Sequence, residues 1–161
     1  MSSEKRKIAY IDGKPYEIGA NHTSILKFVK SYVGEKKVPT LCDDPNLAPY
    51  GACRVCSVEV ALEKDGPTRM VASCHTPVAE NQHIFTSNEA ITSLRKNIVE
   101  LVLTDHPMEC DSCEVNNNCE LQTVANDLGI SDHRYNNPKQ HKGIPRDTSH
   151  DYMRMNLDNC I

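Results

Sequence analysis

The stretch Tyr50-Gly-Ala-Cys53-Arg-Val-Cys56-Ser-Val-Glu-Val-Ala-Leu62 joins two thiols, two residues apart, to a run of strand-forming residues. A spacing of two lets one tight turn aim both sulfurs at a single point, and Gly51 and Ala52 add no bulk beside them. From Cys56 to Leu62 the Val-rich alternation predicts a β-strand. A ligand-type loop therefore feeds straight into a sheet, and the flanking elements settle the fold class.

Upstream, Pro39 to Ala52 carries Pro39, Pro45, Pro49 and Gly51 with little periodicity, which predicts a loop. Before it lies a helix with Thr23 or Ser24 as N-cap, an apolar face of Ile25, Leu26, Phe28, Val29, Tyr32 and Val33, and Gly34 as its stop. The chain opens with a hairpin: Lys7–Ile11 and Tyr16–Ile18 flank Asp12-Gly13, a strong two-residue turn signal. Downstream, Arg69–Ala72 follows the turn Asp65-Gly66-Pro67, and a last strand falls near His83–Thr86. Hairpin, helix, loop and further strands give an α+β order.

The second half reads as helical. Thr86 and Glu89 fit a capping box. Ile91, Leu94, Ile98, Leu101 and Val102 then follow the helical period, and Pro107 forces an end near His106. A shorter helix, Glu120 to Leu128, closes on Gly129. After Ile130 the chain is polar, with Pro138, Gly143 and Pro145, and reads as an extended linker.

Hydrophobic residues make up 39% of the 161 residues but aromatics only 5%, with no Trp, a thin supply of core-fillers. Weak cores of this kind are stapled by disulfides or metals, and there are eight Cys. The N-terminal Met1-Ser-Ser-Glu-Lys-Arg-Lys7 has no apolar core of a leader, and no run of about 18 apolar residues exists to span a bilayer. These features point to a reducing cytoplasm and to Cys as metal ligands rather than cystines. With a net charge of −4 and no basic stripe interleaved with aromatics, nucleic acid is excluded as a partner.

Cys42, Cys53, Cys56 and Cys74 give the spacing C-x10-C-x2-C-x17-C. Ferredoxins of the [2Fe–2S] type distribute four thiolates in this manner, two on each iron. A structural zinc site also uses four Cys, and a zinc-stabilised interaction module without a redox role is the alternative reading. Zinc sites, however, usually pair two CxxC knuckles, whereas Cys42 and Cys74 each stand alone.

His106-Pro-Met-Glu-Cys110-Asp-Ser-Cys113, with Cys119 after five more residues, forms the second group. A [4Fe–4S] cluster needs four protein ligands, normally Cys. The next Cys, Cys160, is 41 residues beyond Cys119, so His106 is the better fourth ligand. Its neutral imidazole leaves such a site one unit less negative than four thiolates, which raises the potential. His22, His75, His83, His133, His141 and His150 read as ordinary surface or core residues.

On these residues the chain resembles a known family. Pro39-Thr-Leu-Cys42, Tyr50-Gly-Ala-Cys53-Arg-Val-Cys56 and Ala72-Ser-Cys74-His-Thr-Pro77 are similar to the N-terminal [2Fe–2S] domain of the large iron–sulfur subunit of respiratory complex I. That domain also occurs in NAD-linked formate dehydrogenases and hydrogenases. His106 to Cys113, with Cys119-Glu-Leu-Gln122, resembles the segment that follows, whose [4Fe–4S] cluster is held by one His and three Cys.

The resemblance implies a β-grasp [2Fe–2S] ferredoxin domain over 1–86, a small helical [4Fe–4S] domain over 87–130 and an extended tail over 131–161. It also implies that the tail opens a further [4Fe–4S] domain, of which Cys160 would be the first ligand. The implied function is a relay of single electrons between a flavoprotein that oxidises NAD(P)H and a downstream iron–sulfur or catalytic subunit. No catalytic residue is assigned.

Overall fold

The computed structural model describes residues 6–132, 134–135 and 143–159; the readings of His133, His141 and Cys160 lie outside the described residues. The chain divides into two compact units, 1–95 and 96–161.

The first unit is a mixed α/β domain on a five-stranded sheet. Its strands are β1 (Ile8–Ile11), β2 (Lys14–Glu17), β3 (Ser57–Ala61), β4 (Arg69–Ala72) and β5 (His83–Phe85), ordered β2-β1-β5-β3-β4. β1 and β5 run parallel, and the other pairs are antiparallel. The β1–β2 turn is the expected tight one, with positive φ at both Asp12 (47°) and Gly13 (81°). The Asp12 carboxylate accepts from the Thr86 amide at 2.8 Å and the Thr86 hydroxyl at 2.6 Å, tying the turn to the end of β5.

Helix α1 (Ile25–Val33) starts at Ser24, whose hydroxyl accepts from the Lys27 amide, and ends at Gly34. Its Ile25, Leu26, Phe28 and Val29 pack on Ala9, Ile11, Val58, Val60 and Ile84. Each large side chain buried there contributes about 1.5–3 kcal/mol. Three aromatics gather beside this core: Phe28 meets Tyr16 edge-on at 6.5 Å and Tyr32 at 5.4 Å.

Helix α2 (Glu89–Thr104) corrects two expectations. Thr86 does not cap it, because its side chain is spent on Asp12; Asn88 Oδ1 accepts from the Ile91 amide instead, at 2.8 Å. The buried positions are Ile91, Arg95, Val99, Glu100 and Leu103, while Leu101 is 53% exposed. The buried row repeats every four residues from Ile91, so it includes a charged residue that a search for apolar periodicity passes over.

In the second unit α3 (Glu120–Asp127) buries Leu121, Val124 and Ala125. The tail is not simply extended: Asp147 and Met155 exchange backbone hydrogen bonds at 2.9 and 3.0 Å, and the Ile144 amide donates to Asp158 Oδ1. Among the described residues no helix is long and apolar enough to cross a membrane.

Candidate metal centres

The first unit gathers Cys42, Cys53, Cys56 and Cys74. Cys56 directly precedes β3 and Cys74 lies two residues after β4. Because Ser57 and Ala72 are register partners, these strand ends bring the two cysteines together. Ser73 locks the arrangement, donating to the Cys56 carbonyl from its amide at 3.3 Å and its hydroxyl at 2.7 Å. The Cys53 amide donates to Cys42 Sγ at 3.5 Å, which draws the loop cysteines to each other. The first turn of α1 holds the loop after β4: the Ile25 amide donates to Thr76 O and the Leu26 amide to Ser73 O, each at 2.9 Å. Helix-end donors that would otherwise lack partners are thus spent on fixing the loop that carries Cys74.

Electrostatics mark Cys42, Cys53 and Cys74. Burial, reinforced by the neighbouring Cys56, pushes the Cys74 thiol up to about 12. Burial also raises Cys42. Burial works upward on Cys53 too, yet the backbone hydrogen bond from Val55 and the Cys42 side chain outweigh it and leave the thiol below its ordinary value. Four crowded sulfurs, those of Cys56 and Cys74 buried and those of Cys42 and Cys53 half-buried, favour a cationic group that replaces their protons.

Two backbone features shape the loop. Arg54, between Cys53 and Cys56, is left-handed (φ 63°), and its carbonyl accepts from the Ser57 amide and hydroxyl at 3.1 and 2.6 Å. Gly51 is also left-handed (φ 72°), and a Cβ there would lie 3.2 Å from Ala72 Cβ, so this close approach requires glycine.

The second unit brings His106, Cys110, Cys113 and Cys119 onto the wall of one cavity of about 330 Å³. His106 follows the last turn of α2, its amide donating to Leu103 O at 3.3 Å. Cys110 opens a short 3-10 turn in which the Cys113 amide returns to Cys110 O. Cys119 is the N-cap residue of α3 with no side-chain cap bond of its own. Gln122 pins the intervening loop, accepting from the Asn117 amide at 2.8 Å and donating to Asn116 Oδ1 at 2.9 Å. Ile144, Arg146 and Asn156 of the tail line the same cavity.

Among the described residues no three His, Cys, Asp or Glu side chains close on one point as they would around a single ion. The donor sets, four thiols and one imidazole with three thiols, fit multi-atom iron–sulfur groups. The other described histidines have structural contacts. His22 accepts from the Gly19 amide, His75 lies 3.2 Å from Pro49 O, His83 stacks on Tyr10 and His150 accepts from the Tyr152 amide. Sequence reasoning missed Ser73, Arg54, Gln122 and Arg95. Of these only Arg95 left a trace, as a charge in register with Ile91 and Val99.

Comparison with known proteins gives the following. The family described as "2Fe-2S iron-sulfur cluster binding domain" matches residues 8–89, and "NADH-ubiquinone oxidoreductase-G iron-sulfur binding region" matches residues 95–134. The NADPH-Fe(3+) oxidoreductase subunit alpha of Geobacter sulfurreducens is 36% identical over 78% of this chain and 14% of its own length. A subunit of the NADH-quinone oxidoreductase of Escherichia coli is 35% identical over 78% of this chain and 14% of its own length. NADP-reducing hydrogenase subunit HndD of Solidesulfovibrio fructosivorans is 34% identical over 94% of this chain and 25% of its own length. The chain thus spans between 14% and 25% of the length of these curated relatives. A crystal structure of NAD+-reducing [NiFe]-hydrogenase in the H2-reduced state shares the fold, with a TM-score of 0.79 at 23% identity, over 96% of this chain and 62% of that one.

Proposed function

Because the chain belongs to the 2Fe–2S iron–sulfur cluster binding family and joins that domain to an iron–sulfur binding region of the NADH-ubiquinone oxidoreductase type, we propose that it relays single electrons inside a larger oxidoreductase. One partner is a flavoprotein subunit that oxidises NAD(P)H; the other is a downstream iron–sulfur or catalytic subunit of a complex I-, formate dehydrogenase- or hydrogenase-like assembly. The observation that carries this reading is the convergence of Cys42, Cys53, Cys56 and Cys74 at one end of the β3–β4 pair. These four hold the [2Fe–2S] cluster. His106, Cys110, Cys113 and Cys119 hold the [4Fe–4S] cluster.

The sheet order, with its parallel β1–β5 centre and α1 packed on one face, supports a β-grasp domain over 1–86. The helical [4Fe–4S] domain takes 87–130, and 131–161 leads, with Cys160, toward a further iron–sulfur domain. Among the described residues the seven cysteines form no disulfide, which suits a cytoplasmic setting. The clusters supply the redox chemistry; the chain supplies ligands, burial and amide donors to sulfur.

Iron and acid-labile sulfide should each be found at about six per chain. Zinc at one or two equivalents without sulfide would remove the proposal and leave a structural module. A second result concerns the imidazole ligand. Replacing His106 by cysteine should keep a four-iron cluster but make it harder to reduce, since the added thiolate brings a negative charge. The reduced-to-oxidised ratio at fixed poise should fall roughly tenfold or more, about 59 mV for one electron. An unchanged potential would assign the fourth ligand elsewhere.

A further inference from the structure

Arg95 is a charged side chain only 5% exposed, in the middle of a helix row that is otherwise apolar. Burying a guanidinium is costly unless its charge and donors are met. Its donors go to two carbonyls: Nε to Val55 O at 3.2 Å and Nη2 to Ser57 O at 2.7 Å. Those residues flank Cys56, so the guanidinium spans the backbone on either side of a cluster ligand. Among the described residues, no ion pair joins Arg95 to a carboxylate. Burial lowers its pKa to about 10, which leaves it protonated at neutral pH, and the charge that pulls in the other direction is that of Cys56.

We propose that Arg95 is the built-in counter-charge of the [2Fe–2S] site, a positioning residue that fixes the backbone around Cys56 and makes the cluster easier to reduce. The inference rests on the reading of Cys42, Cys53, Cys56 and Cys74 as ligands. Four thiolates around an oxidised two-iron core of about +2 carry about −2 in all, and one added electron takes this to about −3. A fixed, desolvated cation beside Cys56 is worth most in the more negative state. Removing it should therefore disfavour reduction. A purely structural role would instead tie the effect to hydrogen-bond geometry and not to charge.

The full chain is loaded with iron and sulfide as wild type, Arg95→Lys, Arg95→Gln and Arg95→Met. Each is titrated with dithionite while the two-iron EPR signal is followed. In the neutral variants the reduced-to-oxidised ratio at a fixed poise should fall about tenfold, equivalent to about 59 mV for one electron. Arg95→Lys, which keeps the charge and loses the two-pronged bond, should stay near wild type in potential even if it loads less cluster. If the neutral variants fail to hold a cluster, a loaded Arg95→Lys at the wild-type potential still supports the proposal. Neutral variants with wild-type potential would overturn it, as would a lysine variant whose potential falls, or failure of all three to load. Absence of any two-iron signal from wild type would instead overturn the ligand reading itself.

Discussion

Replacing Cys56 with alanine is expected to abolish the EPR signal of the two-iron cluster and to leave the four-iron signal in place; Cys113→Ala should do the reverse. The effect is all-or-none because each cluster needs its full set of protein ligands. It is separable because each set lies within one compact unit: Cys56 just before β3 in the first, Cys113 at the end of the 3-10 turn in the second. Cys56 is 1% exposed and its carbonyl is held twice by Ser73, so neither water nor a neighbouring residue can slide into its place. Low-temperature EPR of the two reduced variants is the check. Loss of both signals in either one would mean that the sets do not act as independent sites.

Local chemistry explains which parts of this fold were legible beforehand. The Asp12-Gly13 turn, the Ser24 cap, the Gly34 stop and the strand Arg69–Ala72 are each dictated by a few neighbouring residues, and all are present. The two cysteine groups proposed as ligand sets stand out in the sequence because cysteine spacing is a local property. What escaped is long-range. Parallel pairing of β1 with β5 joins residues over seventy positions apart and leaves no mark on either segment. Thr86 has the identity of a cap, yet Asp12, 74 residues away in sequence at the end of the neighbouring strand, takes both its donors. Arg95 looks like a solvated helix charge until the carbonyls of Val55, just before β3, and Ser57, at its start, accept from it. The tail reads as a linker because its folding back depends on a few separate contacts, Asp147 with Met155 and Ile144 with Asp158, and not on any periodic pattern.

Removing iron is expected to melt the segment around the second ligand group while leaving the sheet of the first unit folded. Over residues 105–119 the backbone bonds are short-range: His106 to Leu103 O, Ser112 to Glu109 O, Cys113 to Cys110 O, Asn116 to Cys113 O and Asn118 to Val115 O. Pro107 is the buried side chain of that stretch, and Cys110, Cys113 and Cys119 are only half-buried. Ordering each residue costs about 1–2 kcal/mol of backbone entropy. Three-residue turns and the single Gln122 clamp do not offset that over such a length, so the ligand bonds must. The first unit differs, because Ala9, Ile11, Phe28, Val58, Val60 and Ile84 form one contiguous apolar core, in which Cys56 and Cys74 are buried among many aliphatic and aromatic neighbours. There the loop carrying Cys42 and Cys53 should loosen, while Cys56 and Cys74 stay sheltered by β3 and β4. Hydrogen exchange with and without iron provides the measurement. Amides of 110–119 should exchange at least about a hundredfold faster in the apo chain, with β1, β3 and β5 changed by less than about tenfold. Retained protection over 110–119 in iron-free protein would show that this unit folds on its own packing, and that its cysteines are held in place before any cluster arrives.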